Sequence, residues 1–211
     1  MPLLKERISR RDVRYYKHFA RSGAGLFANA GHRSVQRTLM IKPFRDNIPK
    51  IHESAFVTND AIIVGDVEIG AESSVWFGSI IRGDVNHIRI GDRTNIQDST
   101  VIHVSSKDHS TILEDEITVG HRVTLHGCYI EKCCLIGIGS IILDGARIGR
   151  NSLVAAGCLV TPGTIIPPES LVMGAPARVK RQLAPDEIEN LTKSWQNYVE
   201  LSRVYKSGFY K

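Results

Sequence analysis

The chain has 211 residues, of which 42% are hydrophobic and 23% charged, and it carries a formal net charge of +5. This length suits one domain with short appendages, and the hydrophobic content excludes a wholly disordered protein. No run approaches the roughly 18 consecutive apolar residues of a membrane-spanning helix, and we find no pattern typical of a secretory signal.

The excess positive charge lies in an N-terminal extension, residues 1–39. It holds nine Lys/Arg and two Asp/Glu, whereas the rest of the chain holds 18 Lys/Arg and 20 Asp/Glu. Its amphipathic stretch RISRRDVRYYKHFA is typical of a mitochondrial targeting segment, although Glu6 and Asp12 weaken that match, or of a helix on a membrane surface or partner. An over-extended start is the alternative, with Met40 as the first residue. Because a basic tail is not a basic domain, we expect no nucleic-acid partner.

Aliphatic residues recur every six positions through the middle of the chain. A period of six fits neither a helix nor a plain strand, but it fits a short strand followed by a tight turn. Three such units close a triangular coil of about 18 residues with the aliphatics inside. The sequence therefore predicts an all-β fold, a left-handed parallel β-helix over residues 40–182, in preference to a β-sandwich. The aliphatic positions are Val57, Ile63, Ile69, Val75, Ile81, Ile90, Ile96 and Ile102, then Ile130, Ile136, Ile142, Ile148, Val154, Val160 and Ile166.

The last segment, residues 183–211, has a helical pattern. Pro185, Asp186 and Glu187 are typical of a helix start. Apolar residues then follow at helical spacing, and we expect an amphipathic helix that packs on the prism with Trp195 and Tyr198 on its apolar side.

Four cysteines, Cys128, Cys133, Cys134 and Cys158, form no CxxC pair. We interpret them as reduced thiols with core roles. Cys128, two residues from His126, is the one with a possible link to a site.

Two histidines occupy equivalent positions in the repeat. His103 follows Ile102 and His126 follows Leu125, 23 residues apart. That separation is one coil of about 18 residues plus five more, which the polar stretch SSKDHSTILEDE can hold as a loop. The two imidazoles should therefore stack one coil apart on the same face. His121 falls on the preceding face and should point elsewhere.

These three side chains make a three-ligand site only if His121 meets the other pair across a subunit boundary. Three-fold symmetry would build such a site three times. Three neutral imidazoles and a water form an open tetrahedral zinc site, in which the pKa of the water falls towards about 7. Fe²⁺ or Co²⁺ can occupy the same ligands.

Four segments together resemble the gamma-class carbonic anhydrases over about residues 40 to 205: RGDVNHIRIG (82–91), TNIQDSTVIH (94–103), VGHRVTLHGC (119–128) and MGAPARVKR (173–181). The resemblance implies a trimer that hydrates carbon dioxide reversibly to bicarbonate. It also implies that zinc is bound by His103 and His126 of one chain and His121 of its neighbour.

The resemblance assigns roles to further residues. Arg82 and Asp84 match a pair that bridges the interface, and Gln97 matches a glutamine that binds the metal-bound water. Asp98 matches its neighbouring acid, for which corner hydrogen bonding is the alternative role. Tyr198 is expected to bring a hydroxyl near the site.

The chain also departs from the most active members. Val85 replaces a glutamate, and SSKDHS replaces an acidic loop that carries a proton shuttle, so we expect slow turnover. His109 could substitute for the shuttle, although a solvated loop histidine is the simpler interpretation.

A second resemblance concerns cellular placement. QRTLM (36–40) and PFRDNIPKIHESAFV (43–57) are similar to mitochondrial members on the matrix side of respiratory complex I. This implies a homotrimer or heterotrimer in the mitochondrion attached to the complex I membrane arm; a bacterial source would imply the cytoplasm. Two other functions stay open, a structural subunit with a retained metal site and a hexapeptide-repeat acyltransferase.

Overall fold

A computed structural model describes residues 40–209. Their short strands stack in parallel, coil upon coil, which confirms the predicted β-helix with its C-terminal helix. The coils form a prism with three faces, which we name the histidine face, the charged face and the helix face.

The strands divide among these faces. The histidine face contains β1 (Met40–Lys42), the first halves of β4 (Ile62–Ile69) and β6 (Ile80–Ile90), β8 (Val101–His103), β11 (Thr124–His126), β14 (Ile141–Ile142) and β17 (Leu159–Val160). The charged face contains β2 (Lys50–Ile51), the second halves of β4 and β6, β9 (Thr111–Leu113), β12 (Tyr129–Ile130), β15 (Arg147–Ile148) and β18 (Ile165–Ile166). The helix face contains β3 (Phe56–Val57), β5 (Ser74–Val75), β7 (Asn95–Ile96), β10 (Thr118–Val119), β13 (Leu135–Ile136), β16 (Leu153–Val154), β19 (Ser170–Met173) and the antiparallel β20 (Arg178–Gln182).

The six-residue period builds the core. Every predicted inward aliphatic except Val57 is buried in the prism. Val57 is half-buried because β3 lies at the end of its sheet, with a strand neighbour on one side only. Burying an aliphatic side chain of this size contributes about 1.5–3 kcal/mol, so the stacked column is the main source of stability.

Two insertions interrupt the period at the corner between the histidine and charged faces. In β6, Gly83 pairs with Gly65 but Ile88 pairs with Val67, so β6 bulges outward between them. In the next coil, residues 104–110 form a loop between β8 and β9, as the polar stretch predicts. The insertions touch, since Asn86 Nδ2 donates to the Ser105 carbonyl at 3.2 Å.

The charged face presents ion pairs to solvent. Arg89 pairs with Asp66 at 2.8 Å and with Glu68 at 3.5 Å, and Lys50 pairs with Glu68 at 3.0 Å. Farther along, the Arg147 guanidinium lies 4.4 Å from the centre of the Tyr129 ring. Mixed charges of this kind discourage association through exposed strands.

Helix α1 (Pro185–Val204) covers the helix face, followed by a π-helical turn, Tyr205–Phe209. It begins at the predicted proline, and Leu191 and Val199 are buried. Trp195 packs against the buried cluster of Cys133, Leu183 and Leu191, in keeping with its expected place on the apolar side of the helix. Within residues 40–209, no helix combines the length and apolar composition needed to cross a bilayer.

A matched pair of adjacent residues tests the packing scheme. Ile166 is 3% exposed, whereas Ile165 is 73% exposed on the charged face. We expect Ile166→Ala to lower the free energy of unfolding by about 2–5 kcal/mol through lost burial and a cavity. Ile165→Ala should change it by no more than about 0.5 kcal/mol. Urea denaturation measures both, and equal losses would contradict the assigned inward direction.

Candidate metal centre

His103 and His126 lie side by side on the histidine face. They end strands β8 and β11, and parallel pairing places them directly opposite each other. His103 Nδ1 and His126 Nε2 are 3.1 Å apart. The predicted stacking of the two imidazoles one coil apart is thus present.

Asp84 orients the first imidazole. The bulge in β6 brings Asp84 Oδ1 to 3.0 Å from His103 Nε2, while Arg82 Nη1 donates to Asp84 Oδ2 at 2.5 Å within the same chain. Burial raises the pKa of the Asp84 carboxyl, but the hydrogen bonds from His103 and Arg82 outweigh it and hold that pKa below its ordinary value. Asp84 is therefore ionised at neutral pH. Pairing of Arg82 across an interface stays a prediction.

Asp144 contacts the second imidazole. It follows β14, and its Oδ1 lies 2.5 Å from His126 Nδ1, while Ser105 Oγ donates to its Oδ2 at 2.7 Å. Burial raises the pKa of Asp144, but the hydrogen bonds from His126 and Ser105 outweigh this effect and hold that pKa below its ordinary value.

The two carboxylates determine which ring nitrogens face each other. An ionised carboxylate only accepts hydrogen bonds, so His103 Nε2 and His126 Nδ1 must be the donors. In neutral rings, His103 Nδ1 and His126 Nε2 then carry lone pairs, and these are the atoms 3.1 Å apart. Two lone pairs this close repel each other unless a cation or a proton lies between them. Two nitrogens bound to tetrahedral zinc at 2.0–2.1 Å are ~3.3 Å apart, so the pair fits such an ion.

His121 lies in a separate cluster. It follows β10, at the corner between the helix face and the histidine face, and its Nδ1 is 2.8 Å from Asp98 Oδ2. The carboxylate again leaves the other ring nitrogen with a lone pair. Each histidine of the predicted ligand set thus has one carboxylate partner.

Tyr198 belongs to the cluster of His121. Its half-buried ring packs edge-on against Trp76, with the ring centres 5.6 Å apart. Burial and the charge of Asp98 raise the pKa of Tyr198 above its ordinary value, so its hydroxyl is protonated at neutral pH.

Gln97 is buried beside the same corner. Its Nε2 donates to Asn95 Oδ1 at 3.1 Å, which holds the amide in one orientation. No hydrogen bond between residues 40 and 209 joins Gln97 to any of the three histidines, and its predicted role is untested by one chain.

The two clusters occupy opposite edges of the histidine face. The corner with His121 precedes the strands of this face, and His103 and His126 end them. Within the described part of one chain, no three His, Cys, Asp or Glu side chains form a metal-binding group. A three-histidine centre therefore needs a second chain.

Cys128 is not available to this centre as a thiolate. All four cysteines are unpaired and buried, as expected. Burial raises the pKa of Cys128 to about 12 and that of Cys134 likewise to about 12. Because the thiolate is the metal-binding form, Cys128 is a core residue.

The chain is similar to several known proteins. Residues 127–162 match the family model of the bacterial transferase hexapeptide (six repeats). A carbonic anhydrase from Geobacillus kaustophilus is 46% identical over 80% of this chain and 92% of its own length. Gamma carbonic anhydrase 2, mitochondrial, from Arabidopsis thaliana is 40% identical over 83% of this chain. The chain belongs to the gamma carbonic anhydrase family.

Other relatives of this gamma carbonic anhydrase family member differ in length or in description. The chain spans 64% of the length of gamma carbonic anhydrases 1 and 2 of Arabidopsis. A hexapeptide transferase family protein from Anaplasma phagocytophilum is 40% identical, with a TM-score of 0.75 over 78% of this chain and 96% of its own. A Bacillus cereus protein provisionally assigned as an acetyltransferase is 48% identical, with a TM-score of 0.78 over 79% and 96% of the two chains.

Sequence reasoning missed Asp144 as a partner of the histidines. It follows His126 by 18 residues, one coil. A search for carboxylates one coil away from each candidate ligand would have found it. His109 lies in the 104–110 loop and is half-buried, with ring atoms 3.1–3.6 Å from the place where a Cβ at Gly145 would lie.

Thiol reactivity tests the assignment of the cysteines. We expect iodoacetamide at pH 8 to leave Cys128 and Cys134 unmodified in the folded protein, because so few of their thiols are ionised at that pH. Unfolding in urea should expose all four cysteines to alkylation, as peptide mass spectrometry would show. Rapid alkylation of Cys128 before unfolding would mean that it is accessible and ionised, contrary to this structure.

Proposed function

We propose that this protein forms a trimer that binds zinc between subunits and catalyses the reversible hydration of carbon dioxide to bicarbonate. The observation that carries the proposal is the pair of facing imidazole nitrogens of His103 and His126, with the third carboxylate-paired histidine, His121, at the opposite edge of the same face. Cyclic association joins one edge of each subunit to the other edge of the next. The family relatives named carbonic anhydrase support the same reaction.

The surface between the two clusters supports the trimer. Ile80, Val101 and Ile141 occupy one outward column of the histidine face and are 36–40% exposed. Ile138, next to the corner with His121, is also exposed. An apolar column flanked by two incomplete sites is suited to burial against another copy of the chain.

The site residues divide the work of the reaction. His103, His121 and His126 hold the metal, and zinc in this setting is a Lewis acid that makes hydroxide available near neutral pH. Asp84 and Asp98 keep the ligand rings oriented. Gln97 has an amide fixed through Asn95, which leaves its oxygen to accept a hydrogen bond from the reacting water.

Proton removal limits this chemistry. Hydration releases a proton that must leave the site. Val85, 48% exposed on the β6 bulge, carries no titratable group that could accept it. We therefore propose slow turnover. Fe²⁺ or Co²⁺ in place of zinc would use the same three imidazoles.

An acyltransferase is the alternative enzyme class, and the transferase descriptions of two structural relatives favour testing it. It needs one histidine as a base and no metal. Three histidines, each oriented by a carboxylate, favour the metal centre. A scaffold that binds zinc without turnover is the other alternative.

We also propose a mitochondrial location. The basic composition of residues 1–39 and the two Arabidopsis relatives named mitochondrial support it, although bacterial relatives such as that of Geobacillus fit the cytoplasmic alternative. The extension lies outside the described residues. Attachment to respiratory complex I stays a prediction, as does the choice between identical and related subunits.

Mixed trimers test the shared site. Chains with His126→Ala and chains with His121→Ala should each form trimers with little bound zinc and little hydration activity. Co-expressed and purified through two tags, each mixed cyclic trimer should regain about one of its three sites, because one junction then has all its ligands. Metal analysis and stopped-flow hydration of carbon dioxide measure the recovery.

The outcomes of this experiment separate the alternatives. Wild-type trimer without zinc or hydration activity would refute the proposed function. Zinc in the wild type with no recovery in mixed trimers would show that the ligands come from one chain. Zinc with no turnover in either would favour the scaffold.

The apolar column provides an independent test of the trimer. We expect Ile141→Glu to produce monomers, because it places a charge in the proposed interface. Ile165→Glu is the same isoleucine-to-glutamate change on the solvent-facing charged face, and this variant should stay trimeric. Light scattering after size-exclusion chromatography measures the mass. A monomeric wild type, or a trimeric Ile141→Glu variant, would contradict the assignment of this face.

A further inference from the structure

Asp144 is held differently from Asp84, the carboxylate that contacts His103. Both of its oxygens are used, Oδ1 by His126 and Oδ2 by Ser105 of the 104–110 loop, which contains no metal ligand. Asp84, by contrast, shares its charge with Arg82. In residues 40–209, no Lys or Arg forms an ion pair with Asp144.

We propose that Asp144 is a positioning residue that sets the metal affinity of His126, and that the 104–110 loop holds it in place. This inference rests on the proposed function. It assigns a role to a side chain and a loop outside the predicted set of ligands and catalytic residues.

The hydrogen bonds define the direction of the imidazole. Asp144 fixes the proton on His126 Nδ1 and so directs the Nε2 lone pair towards His103. Ser105 holds the second carboxylate oxygen and so prevents rotation of the carboxylate. A ligand whose orientation is fixed in advance loses less conformational entropy when it binds the metal.

The backbone is shaped to admit this carboxylate. Gly127, directly after His126, has a φ of +57°, and a Cβ there would lie 2.3 Å from Asp144 Oδ1 and 2.8 Å from the His109 Cβ. The angle alone does not require glycine, since Cys133 and Asn151 have φ of +55° and +56° at equivalent turns, but these close contacts do. His109 packs on Gly127 and Gly145, on either side of Asp144, and its carbonyl accepts a hydrogen bond from Ser105 N at 3.0 Å. The loop thereby lies against the carboxylate, whose side chain stays 34% exposed.

The charge balance points in the same direction. Because no Lys or Arg in residues 40–209 forms an ion pair with Asp144, its negative charge acts on the ring of His109 and, through a direct hydrogen bond, on the ring of His126. A cation on the far nitrogen of that ring offsets the charge, so the carboxylate strengthens metal binding. Asp84 should have a weaker effect of this kind, since Arg82 already neutralises it.

Zinc titration of the metal-free full-length trimer tests the proposal. Affinities are measured by competition with a chromophoric chelator, and cobalt is then bound so that its visible absorption reports ligand geometry. The variants are Asp144→Ala, Asp144→Asn and Ser105→Ala. Asp108→Asn is the matched control, because Asp108 is exposed on the same loop.

We expect Asp144→Ala to weaken zinc binding roughly 10- to 100-fold and to change the cobalt spectrum. Asp144→Asn should fall between Ala and wild type, because its amide oxygen still accepts from His126 but is uncharged. Ser105→Ala should have a smaller effect of the same sign, and Asp108→Asn should behave as wild type.

Wild-type affinity and an unchanged cobalt spectrum in a folded Asp144→Ala trimer would overturn this inference and leave the proposed function intact. If Asp144→Ala does not fold, the same result for the isosteric Asp144→Asn overturns it. A wild-type trimer that binds no zinc would overturn both proposals.

Discussion

The stacking of each coil on the next is the constraint on which the rest of the structure depends. Parallel hydrogen bonding aligns every strand residue with its counterpart one coil away, so the inward aliphatics form continuous buried columns. Extra residues can enter only at the corners, where they do not break this alignment. The bulge of β6 and the 104–110 loop both lie at one corner, and they bring Asp84 and Ser105 towards the histidines.

The three outer faces of the prism have different chemistry because each meets a different environment. Helix α1 covers the helix face with Leu191 and Val199. The charged face carries ion pairs such as that of Arg89 with Asp66, which are suited to contact with solvent. Within residues 40–209, the histidine face has neither a helix nor a ladder of ion pairs over its apolar column. Such a face is expected to be covered by another chain, and the incomplete histidine clusters lie at its two edges.

Pairing of imidazoles with carboxylates gives the candidate centre its electrostatic character. Each of the three carboxylates accepts a hydrogen bond from one ring nitrogen of its histidine and leaves the other nitrogen with a lone pair; they are Asp84, Asp98 and Asp144. A nitrogen with a free lone pair is the form that binds a metal. The same carboxylates place negative charge behind the ligand rings, which favours binding of a divalent cation. The fold thus orients these three histidines by its own hydrogen bonds.

Much of this molecule is determined by the sequence alone. The six-residue period predicts the coils, and the 23-residue separation of His103 and His126 predicts their contact, because both follow from counting residues along a regular repeat. The family resemblance identifies Asp84 as a site residue, but no sequence pattern identifies Asp144. Both contacts with the histidines depend on the directions of side chains at the corners of the prism, which the repeat does not specify. The insertions at one corner, the β6 bulge and the 104–110 loop, set the contacts of Asp84 and Ser105, and insertions follow no period that could be counted. The separate position of His121 also follows from its place in the repeat. Only the tertiary structure could decide that His103, His121 and His126 each have their own carboxylate.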